Sequence, residues 1–260
     1  MNTFNELNTL IDEFKRLEIS SQLDFKKLYL YSIITHSTAV EGSTIDETEN
    51  TLMFDEGIVP GGHNLTEQLM NLDLKRAYDY AIKLVPQKPV ITVNLLKSLS
   101  ALTMRNTGKI YKTIMGDFDS SAGDLRLVNV SAGRGGSSYL NYQKVPQRLD
   151  EFCDWINAKR REKFTSAAHV YEFSFIAHYR LVTIHPWADG NGRVSRLLTN
   201  MLQMEKNLLP SILEKEQKAE YIKALAKSQE EKDYKFFVDF MIKSLIKFIA
   251  KIIEEYKKEL

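Results

Sequence analysis

The stretch His185-Pro186-Trp187-Ala188-Asp189-Gly190-Asn191-Gly192-Arg193-Val194-Ser195-Arg196 sets the reading of the whole chain. It places an imidazole, a carboxylate, a glycine loop and two guanidinium groups where a helix begins. Gly190-Asn191-Gly192 contains two residues without a Cβ, so backbone N–H groups there can approach a ligand closely. Val194, Leu197, Leu198, Met201 and Leu202 then recur at helical spacing, which predicts an amphipathic helix starting in the loop. Such an end carries unpaired N–H donors and the positive end of the helix dipole, and it favours phosphate. Arg193 and Arg196 are three apart and opposite the apolar stripe, so both are expected to reach one anion. Asp189 is a candidate ligand for a hard cation that neutralises phosphate charge. His185, with a pKa near neutrality, is the candidate proton acceptor. These parts predict a site that moves a phosphorus group from a nucleotide.

The same residues resemble the signature of Fic-domain proteins, His-x-Phe-x-Asp/Glu-Gly-Asn-Gly-Arg-x-x-Arg. Trp187 replaces the usual Phe, and every other specified position is matched. The resemblance implies a mainly α-helical fold, a Fic-type bundle with a small β-hairpin flap next to the active site. It implies a protein adenylyltransferase that moves AMP from ATP to a Ser, Thr or Tyr hydroxyl of a target protein, uses Mg²⁺ and releases pyrophosphate. By position, His185 resembles the general base and Asp189 the metal ligand. Gly190, Asn191 and Gly192 resemble the anion-binding loop, with Arg193 and Arg196 as phosphate clamps. The family's kinase variant carries a Lys where this chain has Gly192, which favours AMP transfer. The alternatives are transfer of another nucleotide, removal of AMP, or a non-catalytic nucleotide-sensing regulator. His185, which nucleotide binding alone does not require, favours an enzyme.

Upstream lies Ser37-Thr38-Ala39-Val40-Glu41-Gly42. The segment from Phe25 reads as a helix that Gly42 is suited to end. Leu30, Ile33, Ser37 and Glu41 share a narrow arc of it, so an apolar stripe ends in a hydroxyl and a carboxylate. An inward carboxylate needs a cationic partner. The segment resembles the family's inhibitory motif Ser/Thr-x-x-x-Glu-Gly/Asn. That resemblance implies that Glu41 pairs with Arg196, obstructs the ATP γ-phosphate and misplaces the α-phosphate.

The 260 residues suit one substantial domain. With 43% hydrophobic and 27% charged residues the balance is that of a soluble protein, and a net charge of +1 exerts no global pull on nucleic acid or membrane. The lone Cys153 excludes an internal disulfide framework, and within a helical segment it reads as a small buried residue. No signal-peptide pattern and no spanning apolar run are found, so a cytoplasmic location is expected. No zinc framework or recognition motif points to nucleic acid.

Periodicity predicts helices near 4–18, 24–41, 45–55, 64–84, 92–106, 144–159, 166–184, 191–206, 215–228 and 233–258. Thr44-Ile45-Asp46-Glu47 looks like a capping box. Pro86 and Pro89 mark a linker between an N-terminal helical region (1–85, inhibitory helix about 24–42) and a catalytic core (90–245). The end of the last helix, 246–260, is broadly apolar like the rest of that helix and packs on the core or in a homodimer. Gly108 to Tyr142 breaks the helical pattern. Leu125, Leu127, Val128 and Val130 suit short strands, and Ser131–Gly136 reads as a hairpin tip. The family places its flap here (about 123–142), preceded by Gly-x-x-Arg, which Gly123-Asp124-Leu125-Arg126 matches. Val130, Ser131, Ala132 and Gly133 are then expected to dock a target segment by strand addition. Tyr139 and Tyr142 are candidate contacts to adenine or target. His169, Glu172 and His178 lack the i, i+4 spacing of a helical zinc pair and are expected to pack in the core.

Overall fold

The structure, a computed structural model, describes residues 3–131 and 138–259. Helix α1 (Thr3–Arg16) turns Leu7, Ile11 and Phe14 inward and is followed by α2 (Phe25–Val40). Helix α3 (Glu47–Thr51) opens on a reciprocal cap. Asp46 Oδ1 accepts from Glu49 N at 2.8 Å, and Asp46 N donates to Glu49 Oε2 at 2.9 Å. The expected box two residues earlier does not form, because Thr44 spends its N–H and hydroxyl on Glu67 Oε2, at 2.6 and 2.7 Å. A π turn, Leu52–Glu56, closes at left-handed Gly57. Asn64 and Thr92 cap α4 (Leu65–Leu84) and α5 (Val93–Thr103) through their side chains. The chain then forms α6 (Val145–Arg161), α7 (Ala167–Ile184), α8 (Asn191–Met204), α9 (Lys218–Glu230) and α10 (Lys235–Glu259). The mainly helical class and each expected helix are present.

Helix α8 sits at the centre, against α7, α4, α5 and α2. It is buried nearly all round, Arg193 and Arg196 included. One core joins Ile33 and Ile34 of α2, Leu74 and Tyr78 of α4, Leu181 of α7 and Leu197 of α8. A second joins Leu7 and Ile11 of α1, Tyr171 and Phe175 of α7, and Phe237 and Leu245 of α10. The apolar face of α10 is therefore covered within its own chain by α1, α7 and α9. His178 is buried there: Nε2 lies 2.8 Å from Tyr221 Oη, and Nδ1 lies 3.3 Å from Thr199 Oγ1. Among the described residues, no helix is long and apolar enough to cross a membrane.

The strands differ from expectation. The hairpin is β1 (Ile110–Thr113) with β2 (Gly116–Asp119), antiparallel, Ile110 opposite Asp119 and Thr113 opposite Gly116. The turn closes at Gly116, whose φ of 114° excludes a side chain without strain. Between Leu125 and Val130 no ladder forms. Arg126 diverts the carbonyls: its Nη1 donates to Val128 O at 2.7 Å, and its Nη2 donates to Leu140 O. Among the described residues of the expected flap, pairing consists of a bridge between Ser131 and Ser138 and a bond from Tyr139 N to Val130 O at 3.0 Å. Ala132 and Gly133, expected at the flap tip, lie outside the described residues.

Candidate active site

The signature loop joins the end of α7 to the start of α8. His185 stops α7 in the left-handed region, φ 51° and ψ 60°, a conformation that an imidazole holds only when its surroundings impose it. Those surroundings are visible: His185 N donates to Leu181 O at 3.1 Å, and His185 O accepts from Arg126 Nε at 2.7 Å. Asn191 braces the turn that follows, its Oδ1 accepting from Trp187 N at 3.1 Å and its Nδ2 donating to Trp187 O at 2.9 Å. The Asn191 side chain is thus committed to the loop's own backbone.

Trp187 is fully buried. Its indole N–H donates to Gly123 O at 3.2 Å, a bond that a Phe at this position cannot make. Gly123 in turn has no room for a side chain, since a Cβ would lie 2.1 Å from Lys97 O. Gly190, at φ 81°, is equally obligatory: its Cβ would meet Met104 Sδ at 2.8 Å.

Arg193 is buried, and its Nη2 lies 3.1 Å from Met104 Sδ and 3.5 Å from Asp189 Oδ1. Its Nε and Nη1 are buried with no hydrogen-bond partner among the described residues. A buried guanidinium with open donors is costly unless an anion completes it. Asp189 is 58% exposed, and its Oδ1 accepts from Gly190 N at 2.6 Å. A single carboxylate facing solvent beside these open donors could hold Mg²⁺ together with a phosphate.

Arg196 turns the other way. Nε donates to Ser37 Oγ at 2.8 Å, and Nη2 donates to Ser37 O at 3.0 Å and to Glu41 Oε1 at 2.6 Å. The sequence thus brings Ser37, Glu41 and Arg196 together across 155 positions or more. Gly42, at φ 111°, lets the chain leave α2 directly after them. Glu41 rests on the glycine loop, because a Cβ on Gly192 would lie 2.7 Å from Glu41 Oε1. Burial works to raise the pKa of Glu41, but the charges of Arg196 and Arg193 and the bond from Arg196 outweigh it and hold the carboxyl below its usual range.

Burial also pushes the His185 pKa down to about 4, so the ring is neutral at physiological pH. Its Nδ1 faces Val182 O at 3.3 Å. A carbonyl can only accept, so Nδ1 carries the proton and Nε2 keeps its lone pair. Tyr139 stacks on this ring, with centroids 3.7 Å apart and planes 14° apart. Tyr139 therefore meets the imidazole rather than standing free.

Three features escaped the sequence reading. The Tyr139 stack and the Met104 contact leave no local signal. Arg126 did leave one, in Gly-x-x-Arg, but nothing in the spacing tells that its three guanidinium nitrogens bind the carbonyls of His185, Val128 and Leu140.

The helical bundle carries this loop at the N-terminus of its central helix, α8. The family model described as Fic/DOC matches residues 91–203 of this chain. Protein adenylyltransferase fic-1 of Caenorhabditis elegans is 28% identical over 222 residues, covering 84% of this chain and 41% of its own length. Protein adenylyltransferase Fic of Drosophila willistoni is 28% identical over 219 residues, covering 83% and 40%. The chain thus spans about two fifths of the length of these curated relatives. Among solved structures, a Fic domain containing signaling protein from Bacteroides thetaiotaomicron superposes with a TM-score of 0.80 at 20% identity, over 97% of this chain and 98% of that one. Fic-1 from C. elegans gives 0.79 at 24% identity, over 99% and 73%. Both share the fold.

Proposed function

We propose that this chain transfers AMP from ATP to a Ser, Thr or Tyr hydroxyl of a target protein and is held off by Glu41. The observation that carries the reading is Arg193, buried at the start of α8 with two donors unpartnered among the described residues, eight positions after an imidazole whose Nε2 keeps its lone pair. Phosphate on the loop N–H groups and on Arg193 would satisfy those donors. The target hydroxyl attacks the α-phosphorus and its proton passes to His185 Nε2. The new O–P bond forms as the bond to pyrophosphate breaks, and pyrophosphate leaves. Asp189 would hold Mg²⁺, which when bound offsets the phosphate charge. Val130 and Ser131 would present backbone to the target as an added strand.

Glu41 supplies the restraint in this reading. Its carboxylate lies against Gly192 and occupies Arg196, so a like-charged phosphate tail meets repulsion where it would meet a clamp. The lone buried Cys153, whose thiol burial pushes up to about 12, suits the reducing cytoplasm in which we place the reaction.

Labelled ATP tests the proposal. Glu41→Gly protein is expected to incorporate AMP, in itself or in added protein, at least about tenfold faster than the wild-type chain, equivalent to about 1.4 kcal/mol of lifted restraint. His185→Ala in that background is expected to silence it. Mass spectrometry must find an AMP adduct; UMP, phosphate or no adduct overturns the reading.

A further inference from the structure

An apolar cavity lies away from the signature loop. It measures about 470 Å³ and opens to solvent where the two hydrophobic cores meet. Tyr29, Ile33 and Tyr78 belong to one core, and Phe14, Tyr171 and Ile249 to the other. That volume falls within the roughly 300–1,000 Å³ of small-molecule sites, which favour seams between packed units. The tyrosine hydroxyls are already committed: Tyr29 donates to Pro210 O at 2.6 Å and Tyr171 to Leu209 O at 2.7 Å. The walls therefore offer apolar surface.

The rim is different. Lys15 and Lys26 line it, both exposed, and neither meets a carboxylate within ion-pair distance among the described residues. Neighbouring Lys27, by contrast, is held by Asp55 at 3.1 Å. Ser20 and Asn207 complete the polar edge. An apolar chamber under two unpaired cations fits one ligand chemistry: a hydrocarbon body ending in a carboxylate.

We propose that this cavity binds such an amphiphilic monoanion, and that the bound ligand tightens the hold of Glu41 on Arg196. The second half rests on Glu41 being inhibitory. One wall of the cavity is α2, through Phe25, Tyr29 and Ile33, and Ser37 and Glu41 follow Ile33 at successive turns of the same helix. The chamber is complete only while α2 is docked. A ligand that needs the docked helix adds its binding free energy to that state, which is the state in which Glu41 meets Arg196.

Titration calorimetry of the full chain with monomeric dodecanoate, below its micellar concentration, tests binding directly. Saturable one-to-one binding is expected, with dodecanol about tenfold weaker or more. Lys15→Glu with Lys26→Glu is expected to weaken dodecanoate to a similar degree. Ile82→Trp, on a half-exposed wall residue, is expected to block it. No saturable binding, or equal binding of acid and alcohol that the charge reversals leave unchanged, overturns the site. Dodecanoate is also expected to slow AMP incorporation by the wild-type chain and to leave Glu41→Gly unaffected. Equal slowing of both, or of neither, overturns the coupling. If His185→Ala does not silence Glu41→Gly, the nucleotide-transfer reading fails while the calorimetric result stands by itself.

Discussion

Glu41 Oε1 lies 2.6 Å from Arg196 Nη2, and the same guanidinium reaches Ser37 through both its Nε and its Nη2. Arg196 is thus gripped by one helix at two points one turn apart. Ser37→Ala removes the hydroxyl acceptor and keeps the carboxylate, a loss of about 1 kcal/mol of grip. AMP incorporation should rise about fivefold, less than in Glu41→Gly. Initial rates of labelled-ATP incorporation by the two variants check the order.

Arg126 ties three carbonyls, those of His185, Val128 and Leu140, with one planar fork. Lysine keeps the charge but cannot reproduce the fork. In the Glu41→Gly background, Arg126→Lys should lower kcat about tenfold or more, because His185 and the flap lose a common anchor. ATP affinity should change by no more than about twofold, since Arg126 stands outside the phosphate loop. Rates over an ATP titration separate the two quantities.

Trp187 stands where the Fic signature has Phe, and its indole N–H bonds to Gly123 O. Trp187→Phe leaves a small void and an unpaired carbonyl, and should destabilise the fold by about 1–3 kcal/mol. Urea unfolding should show a lower midpoint with an unchanged slope.

Burial, aided by the charge of Arg196, drives the His178 pKa down to about 3. The unfolded chain binds this proton near pH 6.5 and the folded chain does not, so stability falls as pH drops below about 6.5 and stops falling near pH 3. Within that window the slope from this one group is about 1.4 kcal/mol per pH unit. His178→Gln should flatten the dependence by that amount, as read from urea midpoints at pH 4, 5 and 6.

The helices were legible because their burial is periodic and their ends carry local chemistry, as at Asn64 and Thr92. The segment between α5 and α6 was not legible in the same way. Leu125, Leu127, Val128 and Val130 have strand-like side chains, yet Arg126 takes the carbonyls of Val128 and Leu140. The real strands, Ile110–Thr113 and Gly116–Asp119, were hidden among the same glycines. Within the site, the residue types were readable in one twelve-residue run, but their directions were not. Arg193 and Arg196 are three apart and point to different partners, because α8 is enclosed on every side and each guanidinium follows what its own neighbour offers.

The enclosure of α8 also separates rigid from variable parts. Any change within that helix must be absorbed by four neighbours at once, whereas the described residues between 105 and 144 lie mostly outside the core and are fastened to the loop through Gly123 and Arg126. Such a plan lets the outer span be exchanged piece by piece while the enclosed helix beneath it stays as it is.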